Sequence, residues 1–141
     1  MLNSDQEAIL VARLNRTEGR RNKPYIDTVG KITIGVGHNL TAKGLPGPMI
    51  DELLSGDIAD ATQEAESLPV YTYLDPIRQT VLVDMVFNMG VNDVKEFVNM
   101  LSAIKRRDYA TAASCMLQSK WADQVGSRAI ELARIMSTGQ L

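Results

Sequence analysis

Residues 81–87, V-L-V-D-M-V-F, are apolar nearly all round. Asp75-Pro76 stands upstream and Gly90 downstream, which gives this run the start and stop of one helix. Asp75 offers an N-cap oxygen, Pro76 suits the first helical position, and Gly90 ends the helix. A helix without a polar side must be enclosed, so the run predicts a buried central helix and a helical body around it. At 141 residues, 45% hydrophobic and 23% charged, the chain is one domain by size and can bury such a core without disulfides. Seven methionines and only 5% aromatics predict a core that is aliphatic and adaptable.

Most of the remaining chain also carries helical signals. Ser4-Asp5-Gln6-Glu7 fits a capping box with Ser4 as N-cap and Glu7 at N3, and Gly19 closes that first helix with Glu18 in its last turn. Pro48 opens a long helix to about Ser67, where Leu68-Pro69 stops it; its stripe is Ile50, Leu53, Leu54, Ile58 and Ala61. Shorter helices are expected at about 93–106, 108–118 and 126–137, with Asp93 and Asp108 as caps.

One stretch breaks the pattern. From Lys23 to Val36 the period changes to two and predicts a β-hairpin, with Ile32, Ile34 and Val36 on one face and Thr33 and Gly35 on the other. If residues 28–30 form the loop, Tyr25 opposes Thr33 and Asp27 lies diagonal to it. Residues 39–47 read as a loop. The expected fold class is α+β, mostly α, in a single domain over 1–141. It comprises a small hairpin lobe at about 18–47, a connecting helix at about 48–67, and a helical lobe at about 70–141 that includes the N-terminal helix.

Several functions fall away. Net charge is −2, which taken alone argues against a nucleic-acid binder, yet its distribution is uneven: +3 over residues 1–50, −8 over 51–100 and +3 over 101–141. Basic ends around an acidic middle could draw an anionic polymer to one face; ordinary solvated helix faces explain the pattern equally well. Arg20-Arg21-x-Lys23 lacks interleaved aromatics and reads as a solvated turn rather than a nucleic-acid patch. Leu40 stands where a third glycine would be needed after Gly35-Val36-Gly37, so nucleotide binding is rejected. Cys115 is the single cysteine and His38 the single histidine, which leaves no metal site and no disulfide framework within the chain. No cofactor is expected. The apolar run at residues 8–12 is too short for a signal sequence, and no segment approaches the roughly 20 residues needed to span a bilayer. A soluble start in the cytoplasm is expected.

A carboxylate pair survives. Glycosidic cleavage needs one carboxylic acid to protonate the leaving oxygen and one carboxylate to activate water or attack. Glu18, at the C-terminal end of a helix dipole that disfavours negative charge, suits the acid; Asp27, on an open hairpin edge, suits the carboxylate. Spacing alone leaves coincidence open, since a Glu and an Asp nine residues apart are common.

The pattern E-G-x7-D-x5-T-I-G-x-G-H, from Glu18 to His38, strongly resembles the start of the phage-type, T4-like lysozymes, glycoside hydrolase family 24. M-V-F-N-M-G at 85–90 is similar to the family's central-helix segment, Ser119-Lys120-Trp121 to its S-[KR]-W, and Arg128-Ala129 with Thr138-Gly139 to its C-terminal R-A…T-G. The resemblance implies a lysozyme-like fold and a muramidase that cuts the β-1,4 bond between N-acetylmuramic acid and N-acetylglucosamine in peptidoglycan, with inversion. It places Glu18 on the general acid, Asp27 on the second catalytic carboxylate and Thr33 on the hydroxyl that helps hold the water. Arg128 matches an arginine near the acid and is expected to orient Glu18. Asn39 and Phe87 align with substrate-binding positions of the cleft, and the glycines are expected to let sugar approach the backbone. His38 is expected to form a structural ion pair with Asp57.

Two departures accompany the likeness. The segment between His38 and Asp57 is much shorter than in the best-known member of the family, and Met100 and Cys115 stand where that member has polar substrate-binding residues. The implied setting is a monomeric endolysin that binds no nucleic acid and does not insert stably into membranes. It would wait in the host cytoplasm until a holin-type lesion admits it to the cell wall. A wall-binding or virion module without turnover, and a lytic transglycosylase, are the alternatives.

Overall fold

The computed structural model describes residues 1–141 throughout. In chain order the elements are helix α1 (Ser4–Glu18), strands β1 (Arg21–Ile26), β2 (Ile32–Gly35) and β3 (His38–Asn39), and helices α2 (Leu40–Lys43) and α3 (Gly47–Glu66). A 3-10 turn at Pro69–Tyr73 follows, then α4 (Pro76–Met89), α5 (Val91–Lys95), α6 (Val98–Lys105), α7 (Tyr109–Leu117), α8 (Lys120–Val125) and α9 (Ser127–Thr138). The fold is α+β and mostly α, as expected. Two compact units make it up, Met1–Asp51 and Glu52–Leu141.

In the first unit, α1 is capped one residue earlier than the Ser4 box. The Asn3 side chain accepts from the Gln6 N–H (2.9 Å), and the Gln6 side chain accepts from the Asn3 N–H (3.0 Å). Asn caps as well as Ser, and Gln closes the box as well as Glu, so the neighbouring frame wins. Gly19 ends α1 with φ +76°, a backbone conformation glycine adopts without penalty. The hairpin begins at Arg21, two residues before the change of period. β1 and β2 pair antiparallel with Tyr25 opposite Thr33 and Ile26 opposite Ile32, and a bulge lies between Arg21 and Tyr25. The expected loop at 39–47 instead adds β3, which pairs Asn39 with Thr33, and then α2. Asn39 makes that helix possible: its side chain accepts from the Ala42 N–H at 3.0 Å.

In the second unit α4 is the buried helix the sequence demands, with Val81, Leu82 and Met85 fully enclosed and Val86 nearly so. Asp75 caps it through the Arg78 N–H, with Pro76 at the first position. Phe87 departs from the all-round burial and is 42% exposed. Met85, Met100, Met116 and Met136 are all fully buried, so the flexible thioethers fill the core. Helix α7 packs against α9 and α6, and α9 also meets α4. The single helix expected at 93–106 is two, α5 and α6, and Asp93 lies inside α5 rather than capping it. No glycine or proline marks that break; it falls at Phe97, whose ring meets Trp121 edge-on at 6.3 Å. Asp108 does cap α7, accepting from the Thr111 N–H at 3.1 Å. Helix α8 had no sequence expectation. Ser119 caps it, and the Trp121 indole N–H donates to Asn88 Oδ1 at 2.8 Å. No helix is long and apolar enough to cross a membrane.

Candidate active site

Asp27 organises the hairpin loop. Its Oδ1 accepts the N–H groups of Val29 (3.0 Å) and Lys31 (2.8 Å), and its own N–H donates to the Lys31 carbonyl at 2.9 Å. Aspartate is short enough to reach backbone donors two and four residues on, which is why such a loop takes it. One carboxylate oxygen is thereby held by the loop. The other, Oδ2, carries no hydrogen bond and is free for a ligand.

Thr33 lies in the central strand β2, between Tyr25 and Asn39 in the pairing, so these three side chains share one face. It is the buried polar side chain of the protein, 3% exposed, and its hydroxyl donates to the Lys31 carbonyl at 3.1 Å. The Lys31 backbone therefore clips both residues: its N–H donates to Asp27, and its carbonyl accepts hydrogen bonds from the Asp27 N–H and the Thr33 hydroxyl. A hydroxyl has one proton, and this one is committed. What Thr33 has left to offer is lone pairs.

Glu18 is the last residue of α1, and Gly37 lies against its side chain, so the acid stands beside the turn that leads into β3. Asn39, on the Thr33 face, uses Oδ1 to cap α2, and its amide N–H groups remain available. The His38 Nε2 lies 2.7 Å from the Gly44 carbonyl; a carbonyl only accepts, so Nε2 carries the proton. That bond lies inside the first unit and ties β3 to the end of α2. The ring thus has a backbone partner, where the sequence suggested a carboxylate.

Arg128 and Phe87 belong to the second unit. There an apolar groove of about 460 Å3 is lined by Leu54, Ile58, Tyr71, Val83 and Phe87, with Asp84 and Arg128 as its charged part. The Arg128 Nε donates to Asp84 Oδ1 at 3.0 Å, and its Nη2 donates to the same oxygen. Both side chains are more than a third exposed, so the pair contributes no more than about 1 kcal/mol and serves to orient the guanidinium. Asp84 escaped the sequence reading, although a lone charge within V-L-V-D-M-V-F was the available signal. Met100 is fully buried, which closes the binding role its polar counterpart would fill, and Cys115 is a half-buried free thiol.

A mostly helical α+β chain with two carboxylates and a committed hydroxyl on and beside one hairpin has the make-up of a lysozyme-type glycosidase. Comparison with known proteins agrees. The family described as phage lysozyme matches residues 15–134. The Probable T4-type lysozyme 1 of Dictyostelium discoideum is 31% identical over 91% of this chain and 93% of its own. The Endolysin of Salmonella phage P22 is 32% identical over 76% of this chain and 77% of its own. The Pre-baseplate central spike protein Gp5 of Enterobacteria phage T4 is 32% identical over 91% of this chain but only 27% of its own. The chain belongs to the phage lysozyme family, and its function is of the lysozyme type.

Proposed function

We propose that the protein is an endolysin: a muramidase that hydrolyses the β-1,4 bond between N-acetylmuramic acid and N-acetylglucosamine in peptidoglycan, and so lyses the host cell at phage release. The observation that carries this reading is the Lys31 clip, which ties Asp27 and Thr33 to one backbone residue and leaves one Asp27 oxygen and the Thr33 lone pairs without a hydrogen bond. A water between two acceptors must donate both its protons to them, which turns its own lone pair outward as a nucleophile. Asp27 is then the general base, Thr33 the second anchor of the water, and Glu18 the acid that protonates the leaving oxygen. A water held this way attacks the face opposite the leaving group, so the anomeric centre inverts; that outcome wants the carboxyl groups roughly 6.5–9.5 Å apart.

Arg128, with its guanidinium fixed by Asp84, is a supporting residue, and Asn39 and Phe87 contribute contacts to the glycan. The protein acts as a monomer from the host cytoplasm and reaches the wall through a holin-type membrane lesion. The test is digestion of purified peptidoglycan by the protein and by Glu18→Gln, with products read by mass spectrometry. Hydrated reducing ends that vanish in the variant support the muramidase; anhydro ends would instead mark a lytic transglycosylase, and absence of product a binding module. A second reading, a lysozyme carried on the virion, is favoured by the likeness to a baseplate spike protein. Mass spectrometry of purified virions distinguishes it, because an endolysin is absent from them.

A further inference from the structure

The basic cluster Arg20-Arg21-x-Lys23 has no part in the chemistry above, yet the structure puts one member of it on the site face. The Arg21 guanidinium lies 4.3 Å over the centre of the Tyr25 ring. Tyr25 is the cross-strand partner of Thr33, and Arg21 itself pairs with Gly35, two residues further along the same strand. The guanidinium is thus held on the face that carries Thr33, and the bulge between Arg21 and Tyr25 is what lets the side chain fold back onto the ring. Stacking uses the flat face of a guanidinium and leaves its N–H edges free, and those edges match a carboxylate in the two-pronged manner lysine cannot. No ion pair forms within Met1–Asp51; the two in the protein, Arg78–Asp75 and Arg128–Asp84, belong to the other unit. This hairpin unit also has an excess of cations, seven Lys and Arg against five Asp and Glu, while the chain as a whole is acidic.

We propose that Arg21, pre-positioned on Tyr25, is a specificity-determining residue that binds a carboxylate carried by the glycan next to the bond being cut. The inference rests on the muramidase reading and deepens it, since alternate sugars of that polymer bear an acidic substituent. Where a peptide is attached, its amide bond has consumed the lactyl carboxyl and the carboxylate is the peptide's; where the sugar carries no peptide, it is that of the lactyl ether. Arg21 selects acidic glycans over neutral β-1,4-linked N-acetylglucosamine polymers, and binding, not the chemical step, is where it acts.

The experiment uses the full chain with Arg21→Gln, Arg21→Lys and, as an equal change of net charge elsewhere in the unit, Arg13→Gln. Each is assayed on intact peptidoglycan, on strands stripped of peptide by an amidase, and on strands whose carboxylates have been blocked as neutral amides. Arg21→Gln is expected to raise KM about tenfold on the acidic substrates with kcat within twofold, and to match the parent protein on the blocked strands. Arg21→Lys falls between, and Arg13→Gln behaves as the parent. Loss on stripped strands shows recognition of the freed lactyl carboxylate, and loss on intact wall shows recognition of a carboxylate on the peptide. Equal loss on blocked strands, equal loss in Arg13→Gln, or no loss anywhere overturns the proposal. Co-sedimentation of the same variants with insoluble intact and blocked wall repeats the comparison without turnover. A parent protein that binds acidic wall through Arg21 but hydrolyses nothing would therefore sink the muramidase reading and leave this one standing.

Discussion

Gly37 lies directly against the Glu18 side chain: a Cβ at residue 37 would stand 3.2 Å from Glu18 Oε2 and 3.3 Å from both Cδ and Cγ. Gly37 also has φ +69°, a region that disfavours any side chain. The glycine expected to admit sugar to the backbone is here the seat of the acid itself. Gly37→Ala therefore strains the turn by about 1–2 kcal/mol and displaces the Glu18 carboxyl by a few tenths of an ångström. Misplacement by a full ångström costs on the order of a hundredfold in rate, so roughly a tenfold fall in kcat is expected with KM little changed. Steady-state kinetics on peptidoglycan beside a thermal melt checks this; a lower Tm with full kcat would show that Glu18 simply moves aside.

The single proton of Thr33 goes to the Lys31 carbonyl, which makes the hydroxyl an acceptor toward the site. Thr33→Ser keeps the donor and the lone pairs, and kcat is expected to stay within several-fold of the parent. Thr33→Val keeps the shape and loses both functions, so kcat should fall about a hundredfold or more, the usual scale for losing a group that assists proton transfer. The Lys31 carbonyl keeps the Asp27 N–H as a partner, so stability should fall by only about 1 kcal/mol. Equal kcat for the Ser and Val variants would remove Thr33 from the water site.

Asp27 has two tasks that substitution can separate. Its Oδ1 accepts from Val29 and Lys31, and an asparagine carbonyl oxygen can do the same. Asp27→Asn is therefore expected to melt within about 1 kcal/mol of the parent while losing about a thousandfold in kcat, because its outward group is now a donor. Asp27→Ala should lose activity as well and also weaken the hairpin. Hydrogen exchange at the Val29 and Lys31 amides reads that difference: protected in Asn, fast in Ala.

How far the sequence disclosed this can be judged from particular residues. The pairing of Tyr25 with Thr33 was legible because alternation and a short loop leave little choice of register. The α4 helix was legible because apolar residues on nearly every side admit one solution, and Asp75-Pro76 fixed its start. The capping frame of α1 was missed by one residue because Asn3 and Gln6 compete on equal terms with Ser4 and Glu7. The α5–α6 break was not legible, since no glycine or proline marks it and the Phe97–Trp121 contact found there is tertiary and has no local marker. The Lys31 clip was not legible either: it is made by backbone atoms, and any residue but proline at 31 would present the same N–H and carbonyl.

Arg78 joins α4 to the end of α9 by donating to the carbonyls of Met136 (2.6 Å) and Ser137 (3.0 Å), and its guanidinium lies 3.7 Å over the Tyr109 ring. It also donates to Asp75 at 2.7 Å. Burial is the largest single influence on Asp75 and pushes its pKa up, but the hydrogen bonds from Arg78 and its charge together outweigh burial and hold the carboxyl below its ordinary 3.8. A carboxyl depressed on folding contributes stability above its unfolded value and loses it as pH falls through the folded one. The contribution is thus complete at neutral pH and is lost as pH falls past 3.8 and through the lower folded value, and it is modest because the Asp75 side chain is 38% exposed. Arg78→Met should lower stability at pH 7 by about 2–4 kcal/mol, as charged hydrogen bonds to α9 are lost. It should also flatten the acid limb, since Asp75 then has no cation to hold its pKa down. Thermal melts from pH 7 to pH 2.5 compare the two; parallel acid limbs in parent and variant would show that this pair plays no part in acid stability.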